Sequence, residues 1–329
     1  MARRPKGNKV DGWLILDKPV GMTSTEAVAK VKRAFDAQKA GHAGTLDPLA
    51  SGCLPIALGE ATKTVGFVMD GRKVYRFTVR WGEETTTDDT EGPVVARSDV
   101  RPSGDAIRRL LPEFTGRISQ VPPRFSAVKI AGERAYDLAR DGEVVELEPR
   151  DIAVHRLDLV EMPDESSSVF VAECGKGTYV RALARDMGRR LGAYGHIVAL
   201  RRLVVGPFGE AHMIPLEKLD ELRHKAGSPG ADCAAEVLYS VATALDGIPA
   251  LAMTDQDAAR LKRGQAVILR GRDAPVVSGP AYAIAGGIPV ALGEVDKGAF
   301  NPKRVFNLSD GRDRPGANKT KRMTDVDHD

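Results

Sequence analysis

Little in this sequence supports the common routes to catalysis. Its 329 residues include only 3 cysteines, Cys53, Cys174 and Cys233. They are widely spaced and lack a Cys-x-x-Cys pair, which argues against a disulfide framework or a zinc cage and for a reducing compartment. There is no Gly-x-Ser-x-Gly elbow, His-Glu-x-x-His pair, Walker-type phosphate loop or glycine-rich dinucleotide fingerprint. Hydride transfer and nucleotide hydrolysis therefore lose their usual support. The charged first residues are followed by no apolar run, unlike a secretory signal. Ala274 to Gly293 is uncharged, yet Pro275, Gly279, Pro280, Gly286, Gly287 and Pro289 would break a membrane helix. Short strands and turns are expected there, in a soluble cytoplasmic protein.

A net charge of +3 is too small to diagnose a nucleic-acid partner. Its distribution says more, because Arg181, Arg185, Arg189, Arg190, Arg201 and Arg202 face only Asp186 between Thr178 and Leu203. Such a patch suits a phosphate backbone, and equally a solvated helix face.

Gly12 to Leu16 reads as a short buried strand, and Thr23-Ser24-Thr25-Glu26 as a capping box opening a helix with Val28, Val31 and Phe35 at helical spacing. Gly41 to Gly52, GHAGTLDPLASG, has no sustained period and is expected to be a loop, followed by a strand at Leu54 to Leu58. From Lys73 to Trp81 the alternation of Tyr75, Phe77, Val79 and Trp81 against Arg76, Thr78 and Arg80 predicts a half-buried strand. Gly82 to Pro93 reads as a solvated turn, since Asp88, Asp89 and Glu91 match no calcium loop. A helix over about Asp105 to Phe114, strands at Ile152 to Val160 and Val169 to Cys174, and a helix from Tyr179 to Leu191 ended by Gly192 complete an α+β pattern. Beyond Ala250, short strands and one helix near Asp255 to Lys262 suggest a small β-rich module. Residues 309–329 are charged, nearly free of apolar side chains and expected to be disordered.

The feature that bears chemistry is Asp47 in Gly44-Thr45-Leu46-Asp47-Pro48. A carboxylate held in a rigid loop can act as nucleophile or base, although Asp before Pro also begins ordinary turns. An aspartyl-phosphate enzyme would need a second acid and a magnesium site, and Asp47-Pro48-Leu49 supplies neither.

GHAGTLDPLASGCLPIALGEATK, Gly41 to Lys63, resembles the catalytic motif of the TruB family of tRNA pseudouridine-55 synthases. Further pieces fit in order: GWLILDKPVGMTS from Gly12, the Tyr75 strand, the Gly82 to Gly92 segment, VPPRFSAVKIAGERAYDLAR from Val121, GTYVRALARDMG from Gly177, and Leu200-Arg201-Arg202. The resemblance spans roughly Gly12 to Gly206. It implies a mixed, mostly antiparallel sheet forming a pseudouridine synthase core over 12–247, preceded by a basic arm (1–11) and carrying a thumb-like insertion near 124–150. Over 248–308 it implies, more loosely, a PUA-like RNA-binding module.

For the site, the resemblance implies Asp47 as the catalytic carboxylate, paired with and oriented by Arg181. The reaction detaches uracil from C1′, turns it and rejoins it through C5, with no cofactor or metal. Asp47 has three conceivable roles: attack on C1′, addition to the ring, or assistance in removing a sugar proton. By the same resemblance, Tyr75 lies against the target base and relays the C5 proton, Tyr179 contacts the extruded nucleotide, and Leu200 walls the uracil pocket. His42 fills the space vacated in the T loop. Lys129, Arg134, Arg140 and Arg202 are candidates for RNA contact, and Lys18 and Pro19 for structural support. Phe125 stands where a tyrosine is expected, which puts a hydroxyl contact there in doubt. The implied partner is tRNA, approached by a monomer with no obligate protein partner. Two alternatives stay open: a guide-RNA-dependent, dyskerin-like synthase, and a non-catalytic tRNA-binding or tRNA-folding protein.

Overall fold

In a computed structural model, the structure describes residues 7–126, 129–130, 133–134, 147–225, 236–269 and 277–308. The strands of the first half are β1 (Gly12–Lys18), β2 (Ala40–His42), β3 (Ala50–Leu58), β4 (Lys73–Trp81), β5 (Glu83–Thr85), β6 (Val94–Arg97) and β7 (Gly116–Gln120). Then follow β8 (Lys129–Ile130), β9 (Glu133–Arg134), β10 (Arg150–Asp164), β11 (Ser167–Cys174), β12 (Gly195–Val205) and β13 (Ile214–Pro215). The main sheet runs β13-β1-β3-β12-β4-β11-β10-β7, with β2 added on β3. Only β1 with β13 and β12 with β3 pair in parallel, so the sheet is mixed and mostly antiparallel.

The central strands are apolar on both faces because both faces are covered. Leu14 and Leu16 of β1 and Leu54, Ile56 and Leu58 of β3 join one core with Ala27 and Val31 of helix α1 (Ser24–Ala34) and with Phe35, its C-cap. Trp13, Ile15, Cys53 and Ala57 project the other way, into a second core with Phe208, Val241 and Leu245. Each buried tryptophan in the sheet has a partner for its indole N–H: Trp13 donates to Thr64 at 3.2 Å and Trp81 to Ser168 at 2.9 Å. The capping box is present as expected, with Thr23 as N-cap and Glu26 bonding back to the Thr23 amide.

Three elements differ from expectation in extent. Strand β3 begins at Ala50 and β2 already at Ala40, so the irregular segment around Asp47 shrinks to residues 43–49. The third helix divides into α3 (Gly104–Leu110) and a tighter turn at Leu111–Phe114, with Pro112 where the α-helical pattern gives way. Strand β10 is longer than its apolar run, because its pairing with β11 continues past the core. The other helices are α2 (Val65–Asp70), α4 (Val180–Arg190), α5 (Leu216–Lys225) and α6 (Asp255–Lys262), the last with the expected bounds.

The C-terminal module is a five-stranded sheet, ordered β14 (Ala250–Ala252), β16 (Gly279–Ala285), β17 (Ile288–Asp296), β18 (Ala299–Val305) and β15 (Val267–Ile268). Tyr282, Leu292 and Phe306 enter the second core of the main sheet. Glu60 ties the two sheets further, accepting from Lys63 at 2.6 Å and from the Asn307 amide at 2.7 Å, while Lys63 donates to the Val305 carbonyl at 2.8 Å. Lys9 of the expected basic arm reaches the Asn307 carbonyl. The remainder of that arm (1–6), most of the thumb-like insertion and the tail (309–329) lie outside the described residues. Among the described residues, no helix is long and apolar enough to cross a membrane.

Helix α4, which carries Arg181, lies close on the start of β12. A Cβ at Gly188 would stand 2.5 Å from the Gly195 nitrogen and 2.6 Å from the Tyr194 carbonyl carbon, both backbone atoms. Gly188→Ala is therefore expected to lower stability by about 1–3 kcal/mol through overpacking, measured by urea unfolding. An unchanged midpoint would show that the helix can lift off at no cost.

Candidate active site

The segment carrying Asp47 is short, and its shape is imposed from several sides. Ser24, the first residue of α1, donates to the Leu46 carbonyl at 2.9 Å and accepts from the Leu46 amide at 2.8 Å. Lys18, wholly buried at the end of β1, donates to the carbonyls of Pro19 (2.9 Å), Met22 (2.6 Å) and Pro48 (3.5 Å). On the opposite side Arg202 of β12 donates to Gly44 (3.0 Å), Thr45 (3.3 Å) and Cys53 (2.8 Å). Gly52 makes room for this strand: a Cβ there would lie 2.3 Å from the Arg202 carbonyl oxygen, and its φ of +98° disfavours any other residue.

Asp47 itself keeps 38% of its side chain exposed, and its Oδ2 meets Nη2 of Arg181 at 3.0 Å. Arg181 is buried, 6% exposed, and its other contacts are the Thr87 carbonyl (2.9 Å), the Phe125 carbonyl (2.8 Å) and Asp89 (3.4 Å). The contact at Phe125 is made by backbone, so it needs no hydroxyl on that side chain. Tyr179 is the N-cap residue of α4. Gln120, at the end of β7, fixes its backbone on both sides, accepting from its amide at 2.9 Å and donating to its carbonyl at 3.2 Å. Tyr75 and Arg202 are register partners on β4 and β12, as are Phe77 and Leu200, so all four share one face. Tyr75, Tyr179 and His42 are half-buried and Leu200 is buried.

Burial pushes the Tyr75 phenol up, against the charge of Arg202. The Tyr179 phenol is likewise raised by burial, with the charges of Arg150 and Arg181 opposing. His42 is lowered by burial and by Arg202, which favours its neutral ring, and its Nδ1 has no hydrogen-bond partner among the described residues.

The structure thus brings Asp47, Arg181, Tyr75, Tyr179, Leu200 and His42 around one end of the sheet. It corrects two expectations. The basic cluster is not a free phosphate-binding face: Arg185 pairs with Asp88 and Asp186, Arg189 with Glu84, Arg190 with Glu113, and Arg201 with Asp17. Arg202, expected to touch RNA, is 1% exposed and turned onto backbone carbonyls. Nor is the 82–93 segment a solvated turn, because Glu84, Asp88 and Asp89 are buried against the arginines of α4. Acids at 84, 88 and 89 opposite arginines at 181, 185 and 189 were visible in the sequence, the latter at one-turn spacing, but nothing local showed that the two sets meet. Gln120 left no signal. Lys129 and Arg134 fall on the β8–β9 ladder, and Arg140 lies outside the described residues.

A partly exposed carboxylate paired with a buried guanidinium, with Tyr75, Tyr179 and Leu200 on the elements around it, suits work on a flat, uncharged ring and its sugar. Residues 32–180 match the N-terminal domain of TruB family pseudouridylate synthase, and residues 181–246 the tRNA pseudouridylate synthase B C-terminal domain. The tRNA pseudouridine synthase B of Bradyrhizobium diazoefficiens is 64% identical over 325 residues, covering 97% of this chain and 94% of the relative. That of Rhodopseudomonas palustris is 67% identical over 308 residues, covering 93% and 84%. Among solved structures, a chain of a Cbf5-Nop10-Gar1 complex superposes with a TM-score of 0.69 at 26% identity, covering 90% of this chain and 84% of that one. A chain of an H/ACA RNP bound to a substrate RNA shares the fold with a TM-score of 0.71 at 23% identity, covering 96% and 93%. This chain belongs to the TruB family of pseudouridylate synthases.

Lys18 gives the site a measurable pH signature. Burial lowers its ammonium from 10.5 to about 8, with Asp47 opposing the shift and Arg202 adding to it. Between those values the folded protein binds fewer protons than the unfolded chain, so the stability attributable to Lys18 rises with pH across that window. Relative to Lys18→Met, the wild type is expected to gain roughly 2–3 kcal/mol between about pH 7 and pH 10, read from urea unfolding of both proteins. A constant difference would contradict the depressed lysine.

Proposed function

We propose that this protein isomerises uridine 55 in the T loop of tRNA to pseudouridine, with Asp47 as the catalytic carboxylate. The observation that carries this reading is the Asp47–Arg181 pair: a buried guanidinium fixes a partly exposed carboxylate beside Tyr75 and Tyr179. The target base leaves its stack at a cost of roughly a few kcal/mol. Stacking on the tyrosines and contact with Leu200 offset that cost, while the half-buried His42 ring lies against the emptied position. Asp47 acts as the bond from C1′ to the base breaks. The freed uracil turns and rejoins through C5, and the C5 proton leaves by way of Tyr75. Reactant and product are isomers, so the reaction consumes nothing.

Relatives at 64% and 67% identity carry the name of a tRNA enzyme, whereas the solved complexes that resemble this chain stand at 26% and 23%. This favours a stand-alone tRNA enzyme over one that depends on guide RNA. With a tRNA transcript labelled with tritium at C5 of uridine, purified wild-type protein is expected to release the label without added RNA, and Asp47→Asn to release none above background while still binding the transcript. Equal release by both proteins would remove Asp47 from catalysis, and release that required a guide RNA would overturn the stand-alone reading.

A further inference from the structure

Among the six arginines clustered between residues 181 and 202, Arg202 alone has no carboxylate partner among the described residues. A buried cation without a counter-ion is costly unless its N–H groups are satisfied. Those of Arg202 go to three carbonyls, Gly44 and Thr45 just before Asp47 and Cys53 just after the loop. Neutral side chains can make bonds of that kind, so the carbonyls alone give no reason to keep a charge at this position. The reason lies on the neighbouring strand. Tyr75 stands opposite Arg202 in the ladder, on the same face, so the guanidinium and the phenol are cross-strand neighbours.

We infer that Arg202 is a positioning residue for the proposed reaction: its guanidinium pins the Gly44–Thr45 turn that leads into Asp47 and places its charge beside Tyr75 on the neighbouring strand. One buried cation thereby links the turn before the carboxylate to the strand that carries the phenol. The inference rests on the reading of Asp47 and Tyr75 given above. It assigns Arg202 no contact with RNA. In the relay, the phenol oxygen accepts the C5 proton and the phenol passes its own proton to water in the cleft, so charge balances. A guanidinium beside that oxygen favours the instant at which the phenol proton departs and disfavours a second proton on the oxygen.

The test uses Arg202→Lys and Arg202→Met in the full chain. Single-turnover tritium release at saturating enzyme is expected to fall by about 100-fold or more, with the tRNA dissociation constant within about twofold of wild type. The loss caused by Arg202→Lys should be smaller when Tyr75→Phe is already present, because part of its effect runs through the phenol. A readout that needs no turnover is the 19F titration of 3-fluorotyrosine placed at position 75, which is expected to ionise at higher pH in Arg202→Met than in the wild type. Tritium release unchanged at saturation, with tRNA binding weakened by about tenfold, would return Arg202 to a phosphate-contact role and overturn the inference. An unshifted fluorotyrosine titration would overturn it as well. If the wild type released no tritium, the proposed reaction would fail while the titration still decided whether Arg202 governs Tyr75.

Discussion

A guanidinium withdrawn from water must find acceptors for the N–H groups it carries, and that demand at Arg181 organises the working end of this sheet. Its acceptors come from three separate stretches of chain: the Asp47 loop, the 87–89 turn, and the segment ending β7's excursion at Phe125. None of these stretches has regular structure of its own at the point of contact. Arg181 is the side chain that meets all three. Helix α4 can present that arginine at a fixed height because Gly188 lets it lie close on β12 and because Gln120 secures the backbone of Tyr179 at its first turn.

The same logic is repeated along α4. Arg185 and Arg189 follow Arg181 at successive turns and meet Asp88 and Glu84 from the segment after β4. A row of buried or half-buried pairs contributes little net stability when desolvation is counted, but losing one partner is severe, since it strands a charge. Such a row fixes register. A shift of α4 by one turn would leave every arginine facing the wrong acid.

Much of this fold was legible in the sequence because its signals are local. Alternation in Lys73 to Trp81, the Thr23 to Glu26 cap and the bounds of α6 each depend on residues a few positions apart, and each is seen as expected. The paired Asp47 and Arg181 were legible only through resemblance of motifs, since the two are far apart in the chain. What stayed hidden was the fate of charge. Arg202 and Arg185 read as surface cations, and Asp88 and Asp89 as solvent-facing acids, because composition reports the sign of a residue and not its company. The carbonyls that hold Arg202 and Lys18 carry no sequence signature at all, being backbone. Gln120 belongs to the same class: its task is defined by a strand end and a helix start that meet only in the folded chain.

Thr23 and Ser24 are adjacent, and they do different work. Thr23 caps α1, whereas the Ser24 hydroxyl is bonded twice to the backbone of Leu46, next to Asp47. The first turn of a surface helix and the loop that carries the carboxylate are therefore joined by a single residue's width of chain. Fraying of that turn, an event of low free energy at most helix ends, is here an event in the cleft. The integrity of α1's start thus bears directly on how firmly the loop before Asp47 is held.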